Sequence, residues 1–387
     1  MPVKYIDRTP ELQSVVQKLS GLNQISIDLE FDKNYYRYGF NLCLVQIFDG
    51  DHCYLIDPLS KNLEIETLFP VLENEEIQKV VFAFGEDLRL LHSLNCFPKN
   101  IYDLNIATSL LNYPPASLVN LIDDILSIDT GKSSQLSNWY KRPLTDQQVH
   151  YAAQDVLHLF ELKSVLIVQA EEMNITGWIN EENTVWDQLD YSDEVNNGIL
   201  KEKDKNDFNE VEWHIYKQLM AYREELAQKL NKPSFQIIKK EYLMEVAKET
   251  RTLMGWDQAK GIYRAIKNED TKTDLIDLVR DARKQADKLG LSEEQPAKKY
   301  PSPEELKIYR EQQRELKKFK SAFFDPIKQK IEEEYGQETA VYLFSNRIIS
   351  DLVNGESSEL EKYKRDLLVR YTEELNLDKE YLHRIIE

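Results

Sequence analysis

The sequence predicts an α/β unit, a mixed central sheet flanked by helices, followed by two all-α units. Three observations predict it. Short apolar runs with tight connections crowd residues 24–84, helical periodicity takes over from about residue 85, and two polar stretches interrupt the helical half.

The strand signals are QISIDLEF (24–31), LCLVQIF (42–48), CYLIDP (53–58) and QKVVFAF (78–84). The first three follow one another closely, with a hairpin-type turn at 48–51, and predict an antiparallel meander. Helical patterns follow in IETLFPVL, EDLRLLHSL, NIATSLL and SLVNLIDDIL, then in one long segment from Asp146 to about Glu172. Residues 1–180 form the α/β unit and the acidic stretch 181–207 a linker. Residues 208–290 form the first helical unit, the proline-bearing stretch 291–305 a second linker, and residues 306–387 the second helical unit.

At 387 residues the chain has room for two or three domains. Its 42% hydrophobic content supports packed cores. The amino-terminal MPVKYIDRTPELQSVV has no apolar signal core, and no run reaches the ~18 apolar residues of a membrane span. Cys43, Cys53 and Cys96 lack metal-type spacing and read as buried thiols of a cytoplasmic protein with no membrane association. A net charge of −19 argues against coating nucleic acid through the overall field, yet leaves room for a local phosphate track. With 12 glycines and no glycine-rich phosphate loop, a dehydrogenase or nucleoside phosphorylase is disfavoured.

Asp28 and Glu30, two apart on a strand, share a face; Ile25, Ile27, Leu29 and Phe31 take the other. Like charges ~7 Å apart raise each other's pKa unless a cation neutralises them, and hard divalent cations prefer carboxylate oxygens. A strand with one face in water explains the pair equally. Asp87 falls in the first helical turn after a strand, where α/β sheets build sites and where helices also simply favour acids. Tyr151 and Asp155 lie one turn apart on one helical face, which also suits an amphipathic helix with a half-buried tyrosine. Together the four features are far less expected by chance.

These residues resemble the tyrosine-bearing branch of the DEDD 3′→5′ exonucleases, and within it the ribonuclease D family. DLE carries Asp28 and Glu30, GEDL carries Asp87, and YAAQD carries Tyr151 and Asp155. The lead-in KSSQLSNWYKRPLT (132–145) matches at Lys132, Ser133, Trp139, Arg142 and Pro143, and FDGDHCYLIDPL (48–59) also fits. Phe82 and Asn138 depart from the family, which often has His and Asp there, neither of them a metal ligand. The resemblance implies a ribonuclease H-like sheet and two divalent ions, Mg²⁺ or Mn²⁺. Asp28 would bridge both, Glu30 and Asp155 would complete the first site, and Asp87 would hold the second. Tyr151 would orient the attacking water, since a phenol with pKa near 10 is a poor base.

Substrate contacts are read from Leu29 and Phe31 beside Glu30, Arg37 in YYRYGF with Tyr36 or Tyr38 stacking on a base, and Lys132, Trp139 and Arg142 lining the groove. Core packing, a surface turn and a stable loop explain the same residues. Asp103 in IYDLNIA reads as a helix cap. Residues 208–290 resemble the HRDC unit that follows the nuclease in ribonuclease D, and 306–387 a divergent second copy. The basic stretch 310–330, with Lys317, Lys318 and Lys320, is a candidate phosphate track or a solvated helix face. The implied partners are RNA 3′ ends, with tRNA precursors the family's association, and no obligate protein partner. A DNA-directed exonuclease and a catalytically silent RNA-binding scaffold are the alternatives.

Overall fold

The computed structural model describes residues 2–131, 137–192, 200, 202–249, 251–295, 302–355 and 360–386. They group into two compact units. One is built from residues 1–30, 43–191 and 303–387, the other from 31–42 and 192–302.

The first unit carries the sheet. Its strands are β1 (Val3–Ile6), β2 (Gln24–Lys33), β3 (Phe40–Phe48), β4 (Cys53–Ile56), β5 (Gln78–Val81) and β6 (Ile101–Asp103). They lie in the order β1-β4-β3-β2-β5-β6. β3 and β4 are antiparallel, as the short turn between them requires. β1 joins β4, and β5 joins both β2 and β6, in parallel. β2 is therefore central. Ile25, Ile27 and Leu29 on one face and Ser26 and Glu30 on the other are all buried. The option of a water-facing acidic edge is gone.

Helices α1 (Thr9–Leu19), α2 (Gly85–Ser93), α3 (Leu104–Leu110), α4 (Leu118–Leu126), α5 (Asp146–Leu157), α6 (Leu159–Glu172) and α7 (Thr176–Thr184) complete the α/β part. The long helical segment expected from Asp146 is two helices, α5 and α6, meeting at His158 (φ −101°, ψ 0°), the C-cap of one and the N-cap of the other. Its ring is held by Gln154, so apolar periodicity continues across a break that it does not register.

In the second unit, α8 (Glu210–Leu230), α9 (Lys240–Ala247) and α10 (Glu269–Leu289) enclose a core of Phe208, Ile215, Tyr216, Leu219, Leu243, Trp256 and Leu275. A capping box between Asn209 and Glu212 starts α8. Tyr38 packs against this core, so it is committed to packing within its unit.

The sequence reading set residues 306–387 apart as a unit of their own. In the structure α11 (Pro303–Phe319), α12 (Asp325–Tyr335), α13 (Gln337–Leu343), α14 (Asn346–Asn354) and α15 (Lys362–Glu374) belong with the α/β part. Phe319, Phe323, Phe324, Leu343, Phe344, Leu367 and Tyr371 share one buried cluster with Val80, Tyr102, Leu110, Leu162 and Ile179. An amphipathic pattern demands a partner for its apolar stripe without saying which. Polar contacts fix the choice. The Glu182 carboxylate accepts from Tyr342 Oη (3.0 Å), Lys364 Nζ (2.7 Å) and Tyr363 Oη. Thr339 Oγ1 donates to the Leu110 carbonyl, and Asn112 Oδ1 caps the Glu338 N–H at 2.9 Å. Gly336, at φ +96°, passes so close to Asn112 that a Cβ would lie 2.1 Å from its side chain. No described helix is long and apolar enough to cross a membrane. The three cysteines are buried.

Candidate functional site

Asp28 and Glu30 leave the central strand toward α5, whose position is set by small groups. Ala152 and Ala153 are buried against the sheet side of α5. Ser26, two before Asp28 on the same strand face, donates from Oγ to the Val156 carbonyl at 2.8 Å. A capping box of Thr145 and Gln148 fixes where α5 begins. Asp155 is thereby brought to the strand acids. Carboxylate oxygens of Asp28, Glu30 and Asp155 lie within 4.8 Å of one another. At an effective dielectric near 20, two charges at that distance repel by about 3.5 kcal/mol.

Asp87 comes from the other side. β5 ends at Val81, the chain turns through Ala83 at φ +55°, and α2 opens with Asp87 in its first turn. Its carboxyl is buried and feels Asp28. Tyr151, half-buried and one turn before Asp155, donates to the Asp155 carboxylate. The Trp139 ring, 6.2 Å away centroid to centroid, backs the phenol.

Protonation follows from this crowding. Burial pushes Asp28 up to about 7. Burial, then the charge of Asp28, pushes Asp155 up to about 8, against the lowering hydrogen bond from Tyr151. Glu30 and Asp87 are driven well above the usual carboxylate range, first by burial and then by the facing acids. Asp87 Oδ1 and Asp155 Oδ2 are buried without a hydrogen-bond partner. Buried acids that repel one another and leave oxygens unsatisfied fit hard divalent cations, which need oxygen ligands and positive charge here.

The other candidates divide differently. Leu29 is core. Phe31 is half-buried, edge-on to Phe40 at 5.2 Å. Arg37 is exposed in a turn built by Asp32, whose carboxylate accepts the backbone N–H groups of Tyr35, Tyr36 and Arg37. Asp32 continues the alternation of Asp28 and Glu30, yet its role is to shape that turn. Trp139 is 3% exposed, a wall behind Tyr151 rather than a groove surface. Arg142 is corrected from substrate contact to clamp. Its guanidinium pairs with both Asp57 oxygens at 2.7 Å and donates to the carbonyls of Trp139, Lys141 and Cys43, which uses all five N–H groups. Lys132 and Ser133 lie outside the described residues. Lys317 and Lys318 are exposed, and Lys320 bonds Asn346.

A second acidic group, Asp49, Asp51 and His52, closes the β3–β4 turn. Lys18, Tyr54 and two backbone N–H groups already satisfy Asp49.

A family model described as a 3′-5′ exonuclease matches residues 3–170. Ribonuclease D of Bartonella henselae is 28% identical over 291 residues, 71% of this chain and 71% of the relative. Ribonuclease D of Zymomonas mobilis is 32% identical over 240 residues, 61% of each chain. The fold matches the crystal structure of Escherichia coli RNase D with a TM-score of 0.68 at 21% identity, over 97% of this chain and 99% of that one. The family model and the ribonuclease D relatives support a 3′-5′ exoribonuclease hydrolase. Residues 3–170 carry the match to that exonuclease family, and the relatives matched are ribonuclease D proteins.

Proposed function

We propose that the chain is a metal-dependent 3′-5′ exoribonuclease of the ribonuclease D type, removing nucleoside 5′-phosphates from RNA 3′ ends, tRNA precursors among them. The observation that carries it is the meeting of Asp28, Glu30 and Asp155 within 4.8 Å. Bound there, a pair of Mg²⁺ or Mn²⁺ ions supplies charge neutralisation and an activated water. Asp28, Glu30, Asp155 and Asp87 would hold them, Asp28 being the acid whose charge reaches each of the other three. Tyr151 hands its hydroxyl proton to Asp155 in a hydrogen bond, which leaves the phenol oxygen free to accept from the attacking water and aim it. Ser26 and the paired alanines keep α5 at the distance this requires. RNA is favoured over DNA by the names of the relatives. Residues 208–290 are assigned as an HRDC-like domain and 306–387 as a divergent second copy that has merged with the nuclease core.

The test is trimming of 3′-labelled and 5′-labelled RNA and DNA, with and without chelator, by the wild type and Asp28→Ala. Chelator-sensitive loss from the RNA 3′ end by the wild type alone is expected. Trimming by Asp28→Ala would end the proposal.

A further inference from the structure

Asp103 ends β6 and caps α3, where its Oδ1 accepts the Asn105 N–H at 2.9 Å. That is an ordinary cap, and it does not account for the rest of the carboxylate. Oδ1 also accepts the N–H of Ala83 at 2.8 Å, and Oδ2 the N–H of Phe84 at 3.1 Å. Those two amides belong to the turn that launches α2, three and four residues before Asp87. Ala83 sits there at φ +55°, a conformation that costs an alanine about 1 kcal/mol and persists only when its surroundings hold it. One buried side chain thus grips the left-handed joint from which the Asp87 helix departs.

The grip is itself anchored. The Asp103 N–H donates to Asn183 Oδ1 at 2.7 Å, and Asn183 Nδ2 donates to the Ile179 carbonyl at 2.8 Å. Beside Asn183 stands Glu182, held by Tyr342, Tyr363 and Lys364 of the carboxy-terminal helices. The chain of contacts runs from those helices through α7 to Asp103, then to the Ala83–Phe84 turn.

We propose that Asp103 is a positioning residue for Asp87, anchored through Asn183, and that it sets the affinity of the second cation position without touching cation or substrate. The inference rests on the reading that Asp87 holds that cation. A ligand-bearing helix released at its joint loses direction before it loses structure, because α2 remains packed through Leu88, Leu90 and Leu91.

The experiment is a Mn²⁺ titration of the full-length protein followed by electron paramagnetic resonance, with unfolding midpoints and steady-state RNA trimming in parallel. The variants are Asp103→Asn, Asn183→Ala, Asp87→Ala and Leu352→Ala, the last a core truncation remote from the joint. Asp103→Asn should weaken the second Mn²⁺ by about tenfold or more, the scale of lost groups that orient ligands, and leave the first unchanged. kcat should fall at fixed Mn²⁺ and recover as Mn²⁺ is raised, with KM for RNA steady. Asn183→Ala should show the same pattern more weakly, and Leu352→Ala only a lower midpoint. If Asp87→Ala loses the second Mn²⁺ while Asp103→Asn keeps it, the positioning role is overturned and the site reading stands. If Asp87→Ala keeps both ions, the site reading itself falls. If Leu352→Ala shifts Mn²⁺ affinity as far as Asp103→Asn does, the effect is general loosening and the proposal fails.

Discussion

Replacing Asp155 with asparagine should stabilise the protein when divalent cations are chelated. In the folded chain Asp155 titrates near 8, pushed up by burial and by Asp28, whereas in the unfolded chain it titrates near the ordinary 3.8. A raised folded-state pKa means the native form keeps a proton that the unfolded form has released. The contribution to stability is therefore intact below about pH 4 and is lost as pH rises toward 8. At 1.36 kcal/mol per pH unit the span sets a ceiling of about 6 kcal/mol, and proton sharing with Asp28 brings the expected penalty at pH 8 to about 2–3 kcal/mol. The introduced amide would keep an acceptor for Tyr151 and offer N–H groups to the neighbouring acids. Urea unfolding in chelator from pH 5 to 9 is the assay. The wild type should lose stability across that window and Asp155→Asn should lose clearly less, the remaining slope coming from Asp28, Glu30 and Asp87. Added Mn²⁺ should stabilise the wild type at pH 8 more than the variant, which keeps Asp28, Glu30 and Asp87 but has lost one carboxylate ligand. A flat wild-type profile, or an Asp155→Asn variant less stable than the wild type at pH 8, would refute the reasoning.

Tyr151→Phe should lower kcat by about 10²-fold with KM within a few-fold, since the lost hydroxyl orients water rather than RNA; an unchanged kcat removes that role. Arg142→Ala breaks a largely buried bidentate pair and three carbonyl contacts, and should cost about 2–4 kcal/mol in urea unfolding with KM for RNA unchanged below the transition. A raised KM at unchanged stability would return Arg142 to the substrate. Gly336→Ala meets both an unfavourable φ and the Asn112 side chain, so unfolding free energy should drop by more than about 2 kcal/mol; a neutral result would mean the joint between α12 and α13 gives way freely.

The acids were legible because their spacing is their geometry. Two residues apart on a strand and four apart on a helix each fix a common face without any knowledge of the fold. The meander was legible for the same reason, and β3 and β4 pair as its short turn requires. Strands β1 and β6 went unread: β1 leaves three of its four residues exposed, unlike the buried β4 and β5, and β6 has only three residues. Arg142 misled because its type suits a phosphate, while the carboxylate that satisfies it, Asp57, lies 85 positions away. Asp103 read as a cap and is one, but its hold on Ala83 and Phe84 exists only once β5 and β6 lie side by side. The carboxy-terminal helices show the same limit: their apolar stripes were visible, whereas their partner was a matter of tertiary choice.

That choice has a consequence for how the enzyme is made. Translation delivers Val80, Tyr102 and Leu110 long before Phe344, Leu367 and Tyr371, although all six occupy one core. Half of that core waits uncovered while the intervening helical unit is synthesised. Completion of that core is thus deferred until the late helices have left the ribosome.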